Sequence, residues 1–337
     1  MKIARHISEL RDCKRPICLA VGFFDGVHPG HQNVLSRTIA HARKIGGEAW
    51  AMTFDPHPLQ ILNPDAAPRM LTTSPHKLQL LDIFGLDGCL LIPFNRKFAS
   101  IPASAFLQKL DRGIPTLAAI FMGHDWRFGH NGQGNHQMLC DWAAHHPGLS
   151  IHQVEAVRRK GQPISSTRIR NTIAAGKIAE STLLLGRPYS ILGTVRHGNR
   201  IGRKIGYPTA NIEPCNEVHP PTGIYAIQAI INGKTFPGIV NFGVHPTVAP
   251  VKKNLLEVHL FDTKQKLYGR QLEVFFMRKL RNEKKFHDLQ ALVQQIRRDE
   301  IKARKILTSS SVKKLWIGTL QKWHPEIIVP PTNKSRN

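Results

Sequence analysis

His28 and His31 stand three residues apart in GFFDGVHPGH, a stretch that also holds Gly22, Phe24, Asp25, Gly26 and Gly30. Glycines let a backbone turn tightly against a ligand, and a helix opening just after them offers free amide donors and a positive dipole end to phosphate. Two imidazoles at this spacing can both face that phosphate. In nucleotidyl transfer, charge builds on the attacked α-phosphate and on the departing pyrophosphate, and fixed donors stabilise it without a covalent intermediate. The motif suits that chemistry, although so short a pattern also occurs in ordinary surface turns.

ISSTRIR offers a second anion-holding arrangement, with the hydroxyls of Ser165, Ser166 and Thr167 at the start of a helical pattern and Arg168 and Arg170 close behind. An ordinary N-cap followed by solvated arginines has the same text. Further on, GTVRHGNRIGRKIGYPTANI spaces Gly198, Gly202 and Gly206 among Arg200, Arg203 and Lys204, giving flexible backbone and cations for a nucleotide's phosphates. Its PTAN end puts the Thr209 hydroxyl and the Asn211 amide oxygen on one side of an extended segment. Hard oxygen donors of this kind suit Mg²⁺ shared with phosphate oxygens; a basic turn with a polar strand edge is the plainer alternative. Glu257, among the apolar residues of LLEVHLFD, is placed to take the proton of an attacking hydroxyl, though a strand glutamate is more often solvated or paired.

Other patterns fail on inspection. NGKTF (232–236) has Gln228 where a P-loop needs glycine. His124, His130 and His136 have no HxxxH or cysteine partner and read as loop histidines. GxGxxG is absent, so a nicotinamide dinucleotide site is not indicated.

The elements that must position these residues fall into two textures. PICLAV (16–21), AWAMTF (49–54), GCLLIPF (88–94), LAAIFMG (117–123) and IHQVEAV (151–157) read as strands, most of them apolar on both faces as buried parallel strands are. Helical patterns lie between them at 32–45, at a segment opening on Ser74-Pro75 as N-cap and first helical residue, at 104–110 and at 136–145. This alternation predicts an open, doubly wound α/β parallel sheet with ligands at the carboxyl ends of its strands. After LLLGRPY (183–189) the runs ILGTV, GIYAIQAIING, FPGIVNFG, LLEVHLFD and LEVFFM, separated by Gly, Pro and Asn, predict a small antiparallel β-barrel or sandwich. A helical pattern over 283–307 closes it, with Phe286, Leu289, Leu292, Val293, Ile296 and Ile301 broadly following the helical period. The last ten or so residues are expected to be mobile.

The composition sets bounds. The 337 residues carry 47 Lys and Arg against 23 Asp and Glu, a net charge of +24, with 41% hydrophobic residues, which is enough for two cores. Residues 278–337 alone hold 15 Lys and Arg against 5 Asp and Glu. Such charge fits nucleic acid, an anionic membrane or phosphorylated ligands, but interleaved strand aromatics of an RNA-binding type are missing. No run is long enough for a membrane span and no apolar leader opens the chain, so a cytoplasmic protein without membrane attachment is expected. The five scattered cysteines suggest free thiols in a reducing compartment.

The paired HxGH and ISSTRIR motifs resemble the HIGH-type nucleotidyltransferases. Together with TFDPHP (53–58), FNRKFASIPASAFL (94–107) and GHDWRFGHNGQGN (123–135), they resemble the adenylyltransferase module of the prokaryotic bifunctional riboflavin kinase/FAD synthetase. That family usually has an acidic residue and Phe where this chain has His124 and Trp126, while Asp125, Arg127, Phe128 and Gly129 keep the pattern. The series GxxxGRxxGxPTAN, GIYAI, VNFGVHPT, LEVHLFD, LYG and LRNEKKF resembles riboflavin kinase, with Tyr207 in place of the common Phe. The two resemblances span about 16–307.

The resemblance implies phosphorylation of riboflavin to FMN by the C-terminal domain, then adenylylation of FMN to FAD by the N-terminal one, each consuming ATP. It implies Glu257, His28 and His31 as catalytic groups. ATP in the adenylyltransferase would meet Gly22, Phe24, Asp25, Gly26, Gly30, Asp125, Ser165, Ser166, Thr167 and Arg168, and flavin would meet Phe54, Pro56, Pro58 and Phe128. In the kinase it implies ATP at Gly198, Arg203, Thr209 and Tyr268, Mg²⁺ at Thr209 and Asn211, and flavin at Arg281, Lys284 and Phe286. The expected division is 1–184 adenylyltransferase, 185–308 kinase and 309–337 basic extension. Partners are then riboflavin, FMN, FAD and ATP, with no nucleic acid; the oligomeric state stays open. The rivals are a chain keeping one of the two activities and a basic nucleic-acid-binding protein on a nucleotidyltransferase fold.

Overall fold

The apolar run ICLAV forms β2 (Ile17–Val21), buried at all five positions because it is paired on both sides in a parallel sheet. In this computed structural model, which describes residues 1–196, 202, 205–214, 217–245, 253–263 and 267–324, the chain divides into two compact units, Met1–Arg168 and Ile169–Asn337.

The first unit is built on six parallel strands in the order β1-β4-β3-β2-β5-β6, where β1 is Lys2–Ala4, β3 Glu48–Asp55, β4 Gly88–Pro93, β5 Leu117–Gly123 and β6 Ser150–Val154. Five match the apolar runs. The sixth, β1, is a three-residue edge strand that buries only Ala4, too short and polar for periodicity to flag. The strand at 151–157 stops at Val154, and a short hairpin follows, β7 (Arg158–Arg159) paired with β8 (Gln162–Pro163).

Strand order reverses beside β2, between the β3 side and the β5 side, which is where a doubly wound sheet opens a crevice at its carboxyl ends. Helices α1 (Pro29–Lys44), α2 (Pro58–Leu62), α3 (Ser74–Ile83), α4 (Arg96–Ala99), α5 (Ala103–Gly113) and α6 (His136–Ala143) lie between the strands. Helix α1 starts with proline at its first position, where the missing amide costs nothing, and buries Val34, Leu35, Thr38 and Ala42. The N-cap of α3 is Thr73 and not Ser74, whose hydroxyl instead reaches Asp55 Oδ1 at 2.6 Å. One core joins Leu19, Met52, Leu90, Ile120 and Met122 of the sheet to Phe106, Leu107 and Leu110 of α5, and each such buried side chain contributes about 1.5–3 kcal/mol.

Helices α7 (Ser166–Ala174) and α8 (Ile178–Leu185) lead into the second unit. Its six antiparallel strands run in the order β10-β13-β12-β11-β14-β9, with β9 Ser190–Thr194, β10 Ala210–Ile212, β11 Gly223–Ile231, β12 Lys234–His245, β13 Lys253–Leu260 and β14 Gln271–Arg281. Arg196, just past β9, bridges to Asn211 of β10 and nearly closes the sheet into a barrel. Every residue of β11 is buried, as a central barrel strand requires.

The helical pattern at 283–307 begins only at α9 (Leu289–Leu307). Asp288 caps it, accepting from the Ala291 amide at 2.7 Å, and Phe286 lies before the helix instead of on its face. A last helix, α10 (Ser310–Trp323), lies where periodicity assigned no element, and it buries Trp316, Leu320 and Trp323. The residues expected to be mobile lie outside those described, as do Gly198, Arg200, Arg203, Lys204 and Cys215. Among the described residues no helix is long and apolar enough to cross a membrane.

Candidate active sites

At the carboxyl end of β2 the chain enters a tight turn in which Phe24 (φ 51°), Gly26 (φ 78°) and Val27 (φ 38°) are left-handed. Two of these are not glycine, so the surrounding structure must hold them there. The Asp25 carboxylate, 1% exposed, accepts from the amides of Leu71 (2.9 Å) and Thr72 (3.1 Å), and Thr72 Oγ1 accepts from the Gly26 amide at 3.2 Å. Gln32 Nε2 donates to the Val27 carbonyl at 2.8 Å. From below, the Lys77 ammonium donates to Phe23 O (3.3 Å), Phe54 O (3.2 Å) and Thr53 Oγ1 (3.1 Å), tying this turn to the end of β3. Burial depresses the Lys77 pKa, and the negative charges of Asp25 and Asp55 oppose that shift.

The turn delivers His28 to the N-cap of α1, where its Nδ1 accepts from the His31 amide at 3.4 Å. The two imidazoles stack with centroids 3.7 Å apart at 18°. Glycine at position 30 makes room for this: a Cβ there would sit 3.1 Å from His28 Cε1. The HxGH residues thus come together as one imidazole pair at a helix N-terminus, the arrangement that can meet a phosphate with fixed donors.

The start of α7 joins them. Ser166 Oγ donates to the Asp25 carbonyl at 3.0 Å, and Ser165 Oγ accepts from the Arg168 amide at 3.3 Å. Thr167 is exposed. Arg168 Nη1 lies 3.2–3.3 Å from the carbonyls of Arg159, Gln162 and Pro163, so it braces the β7–β8 hairpin. Asp125 is exposed in the loop after β5, at the strand-order reversal.

Beside the turn lies an apolar cavity of about 550 Å³ lined by Phe23, Phe54, Pro58, Phe94, Phe98, Phe106, Trp126 and Phe128, with Arg96 and Arg127 at it. Trp126 and Phe128 stack at 5.0 Å and 20°, and Phe54 meets Phe94 edge-on at 5.8 Å. Aromatic walls and two cations suit a flat heteroaromatic ring carrying an anionic tail. Of the residues expected to meet flavin here, Phe54, Pro58 and Phe128 line the cavity and Pro56 does not.

The second site is a row across the barrel sheet. Asn211 of β10 pairs with Glu257 of β13, Glu257 with Asn241 of β12, Asn241 with Ile224 of β11, and Ile224 with Arg281 of β14. Residues directly opposite share a face, so a cavity of about 360 Å³ gathers Thr209, Asn241, Glu257, His259, Arg281, Lys284 and Phe286. Asn241 Nδ2 donates to Glu257 Oε2 at 3.2 Å. Among the described residues, the Oδ1 atoms of Asn211 and Asn241 are buried and accept no hydrogen bond. Orphaned amide oxygens beside a carboxylate suit a ligand that brings its own positive charge or hydroxyl donors. A hard cation with phosphate oxygens completing its shell fits Asn211.

Arg281 is fixed by Asp299, its Nε 3.1 and 2.9 Å from the two carboxylate oxygens and its Nη2 2.8 Å from Oδ2. Its guanidinium lies 5.8 Å from the Phe286 ring, and Lys284 Nζ lies 5.9 Å from the same ring. Tyr268 is exposed and does not line the cavity.

Lys77 and Asn241 went unmarked in the sequence. Lys77 is the one charged residue on the buried face of α3, with His76, Leu80 and Leu81, a weak signal that was present. Asn241 alternates with buried Val240 and Phe242, and only strand pairing reveals that it faces Glu257.

Known proteins carry matching halves. Residues 10–168 match the family model described as FAD synthetase, and residues 185–307 the one described as riboflavin kinase. The chain is 38% identical over 306 residues to the bifunctional riboflavin kinase/FMN adenylyltransferase of Escherichia coli strain K12, covering 90% of this chain and 97% of that protein. It is 34% identical over 289 residues to the protein of the same name from Bacillus subtilis strain 168, covering 85% and 90%. A crystal structure described as a macrolide-efflux protein from Streptococcus pneumoniae superposes with a TM-score of 0.78 at 28% identity, covering 90% of this chain and 98% of that one.

Proposed function

The chain belongs to the bifunctional riboflavin kinase/FMN adenylyltransferase family, and from that premise we propose which of its residues carry each reaction. Its N-terminal part is a FAD synthetase domain and its C-terminal part a riboflavin kinase domain. We take 1–184 and 185–308 as their working limits, with 309–337 as an extension.

In the kinase, Glu257 accepts the proton of the riboflavin 5′-hydroxyl as that oxygen bonds to the γ-phosphorus of ATP and the bond to the bridging oxygen breaks, releasing ADP. The hydrogen bond from Asn241 aims the carboxylate. Thr209 and Asn211 would hold Mg²⁺, which when bound neutralises phosphate charge. Arg281, pinned by Asp299, and Lys284 with Phe286 flank the flavin. The family resemblance assigns Gly198, Arg203 and Tyr268 to ATP. The observation that supports this reading is Glu257 standing between Asn211 and Asn241 in one row across the sheet, with Glu257 and Asn241 lining the cavity and Asn211 behind it.

In the adenylyltransferase, a phosphate oxygen of FMN attacks the α-phosphorus of the second ATP and pyrophosphate departs with the cleaved oxygen. His28 and His31 donate to the charge that develops, with the amides around Gly22, Gly26 and Gly30 beside them. The Phe24 turn shapes the pocket, and Asp25 and Ser166 act by holding that turn. Ser165 and Arg168 position the start of α7, and Thr167 and Asp125 face ATP. Phe54, Pro58 and Phe128, with Pro56 shaping the loop, take the isoalloxazine. The four cysteines among the described residues are free thiols, which fits a reducing compartment and supports a cytoplasmic location.

The test is to incubate riboflavin with Mg·ATP and separate the flavins by chromatography. FMN followed by FAD is expected. Protein that is folded and yields neither overturns the reading.

A further inference from the structure

Two imidazoles and two flexible cations converge on a cleft that neither reaction uses. Arg37, His41 and Lys44 recur at i, i+4 and i+7 along α1 and so share one helix face. His152 comes from β6, at the edge of the parallel sheet. With Phe121 they line an open cleft of about 530 Å³ whose lining, among the described residues, holds no carboxylate side chain. At 1.5 Å per residue, His41 lies roughly 15 Å along α1 from His31.

The histidines are held in place. The His152 ring stacks on Phe121 with centroids 4.3 Å apart at 11°, and its Nε2 lies 2.9 Å from Ser150 Oγ. That hydroxyl donates to the Ala118 carbonyl at 3.3 Å, so its oxygen accepts the Nε2 proton and Nδ1 is bare while the ring is neutral. His41 sits 5.1 Å from His152 and edge-on to Phe121 at 5.5 Å. Burial and the charge of His41 both hold His152 below its usual protonation range. Among the described residues Arg37 makes one side-chain hydrogen bond, from its Nε to Asn33 Oδ1 at 3.3 Å.

Basic residues in a last helical turn ordinarily complement the helix dipole. Arg43, which donates to the Gly85 carbonyl at 3.2 Å, serves that end. Arg37 lies two turns earlier and His152 on another element, so the dipole does not account for their convergence. What the cleft lacks is negative charge.

We propose that this cleft is a second anion site that takes the phosphate groups of a small soluble phosphate compound. Inorganic phosphate, pyrophosphate and a nucleotide share that chemistry. An anion between His41 and His152 would offset the burial that disfavours protonated His152, with Arg37 and Lys44 closing over it. The site stands on its own residues and does not depend on the assignments made for the two reactions.

The test uses the full chain, labelled at its histidine rings, with the two signals assigned through His41→Gln and His152→Gln. It is titrated by NMR at constant ionic strength with phosphate, pyrophosphate and AMP in separate arms. The His41 and His152 signals should shift together and saturate, and their protonation midpoints should rise. In the Arg37→Ala/Lys44→Ala double variant, whose changes are at exposed positions, the dissociation constant should rise about tenfold or more, with FMN and FAD formation unchanged. Saturation by phosphate, stronger binding of pyrophosphate, or stronger binding of AMP each supports the site and identifies its ligand. Signals that fail to saturate through the millimolar range in all three arms, or a double variant that binds as the parent does, overturn the proposal.

Discussion

The Ser166 hydroxyl donates to the main-chain carbonyl of Asp25 at 3.0 Å, across 141 positions of sequence. Asp25 belongs to the turn that delivers His28, and Ser166 opens α7, so this hydrogen bond links the two motifs of the first site. The Asp25 carboxylate is meanwhile held by the amides of Leu71 and Thr72. Ser166→Ala removes this hydrogen bond and leaves that anchor. Stability should fall by only about 1 kcal/mol. FAD formation from FMN should fall about tenfold, as one misplaced hydrogen bond at a phosphate site costs about 1.4 kcal/mol of barrier. Riboflavin phosphorylation, assayed alongside, should not change.

His31→Ala should lower adenylylation by about 10²- to 10³-fold, the scale of losing one fixed donor to developing charge. Chromatography of a riboflavin incubation should then show FMN accumulating. Gly30→Ala should show a milder version, because its methyl would press on His28 at 3.1 Å without removing an imidazole.

Glu257→Ala and Asn211→Asp should each abolish FMN formation from riboflavin and spare FAD formation from supplied FMN. Asn241→Ala keeps the carboxylate but removes the donor that aims it. It should lower kcat for phosphorylation by about tenfold or more with a smaller change in KM for riboflavin, the pattern of a group acting on the base.

Alkaline pH should destabilise the first unit through its buried thiols. Burial pushes the Cys89 pKa from 9.0 to about 12. Above pH 9 the unfolded chain therefore loses that proton while the folded chain keeps it, and stability falls as pH rises toward 12. Relative to Cys89→Ala, the parent should lose up to about 1.4 kcal/mol per pH unit between pH 9 and 11 in urea unfolding. Parallel curves would remove the thiol from the explanation.

Helix α10 should be integral to the second unit although it lies beyond the residues matched by the riboflavin kinase model. Trp323 is fully buried, with the Arg187 guanidinium 4.6 Å from its ring, and Trp316 packs edge-on against Phe275 at 5.0 Å. Trp323→Ala should cost about 3–5 kcal/mol, read as an earlier unfolding transition of that unit. An unchanged transition would make α10 an ornament.

Both halves of the fold could be read from the chain where burial imposes a pattern. Strands covered on two faces are continuous apolar runs, which is why β2 to β6 stood out, while β1, at the edge and three residues long, carries no such mark. The 283–288 segment looked helical because Phe286 and Leu289 happen to keep a helical spacing; the Asp288 cap overrides it. Candidate site residues stand out where an atom type alone suggests a task, as with His28, His31 and Glu257. Lys77 and Asn241 do not, because what matters about them is who faces them. Lys77 serves carbonyls from two other segments, and Asn241 meets Glu257 only through strand pairing.

With the roles proposed above, the row from Asn211 through Glu257 to Asn241 makes the kinase chemistry depend on alignment that is counted in single residues. Side chains alternate along β13, so adding or deleting one residue within it would turn Glu257 outward and bring a neighbour such as Leu256 or Val258 under the cavity. The same change in the connection between β13 and β14 would leave the row intact. Length variation in this half of the enzyme should therefore be confined to its loops, and an indel scan would trace the catalytic row as a band of silence.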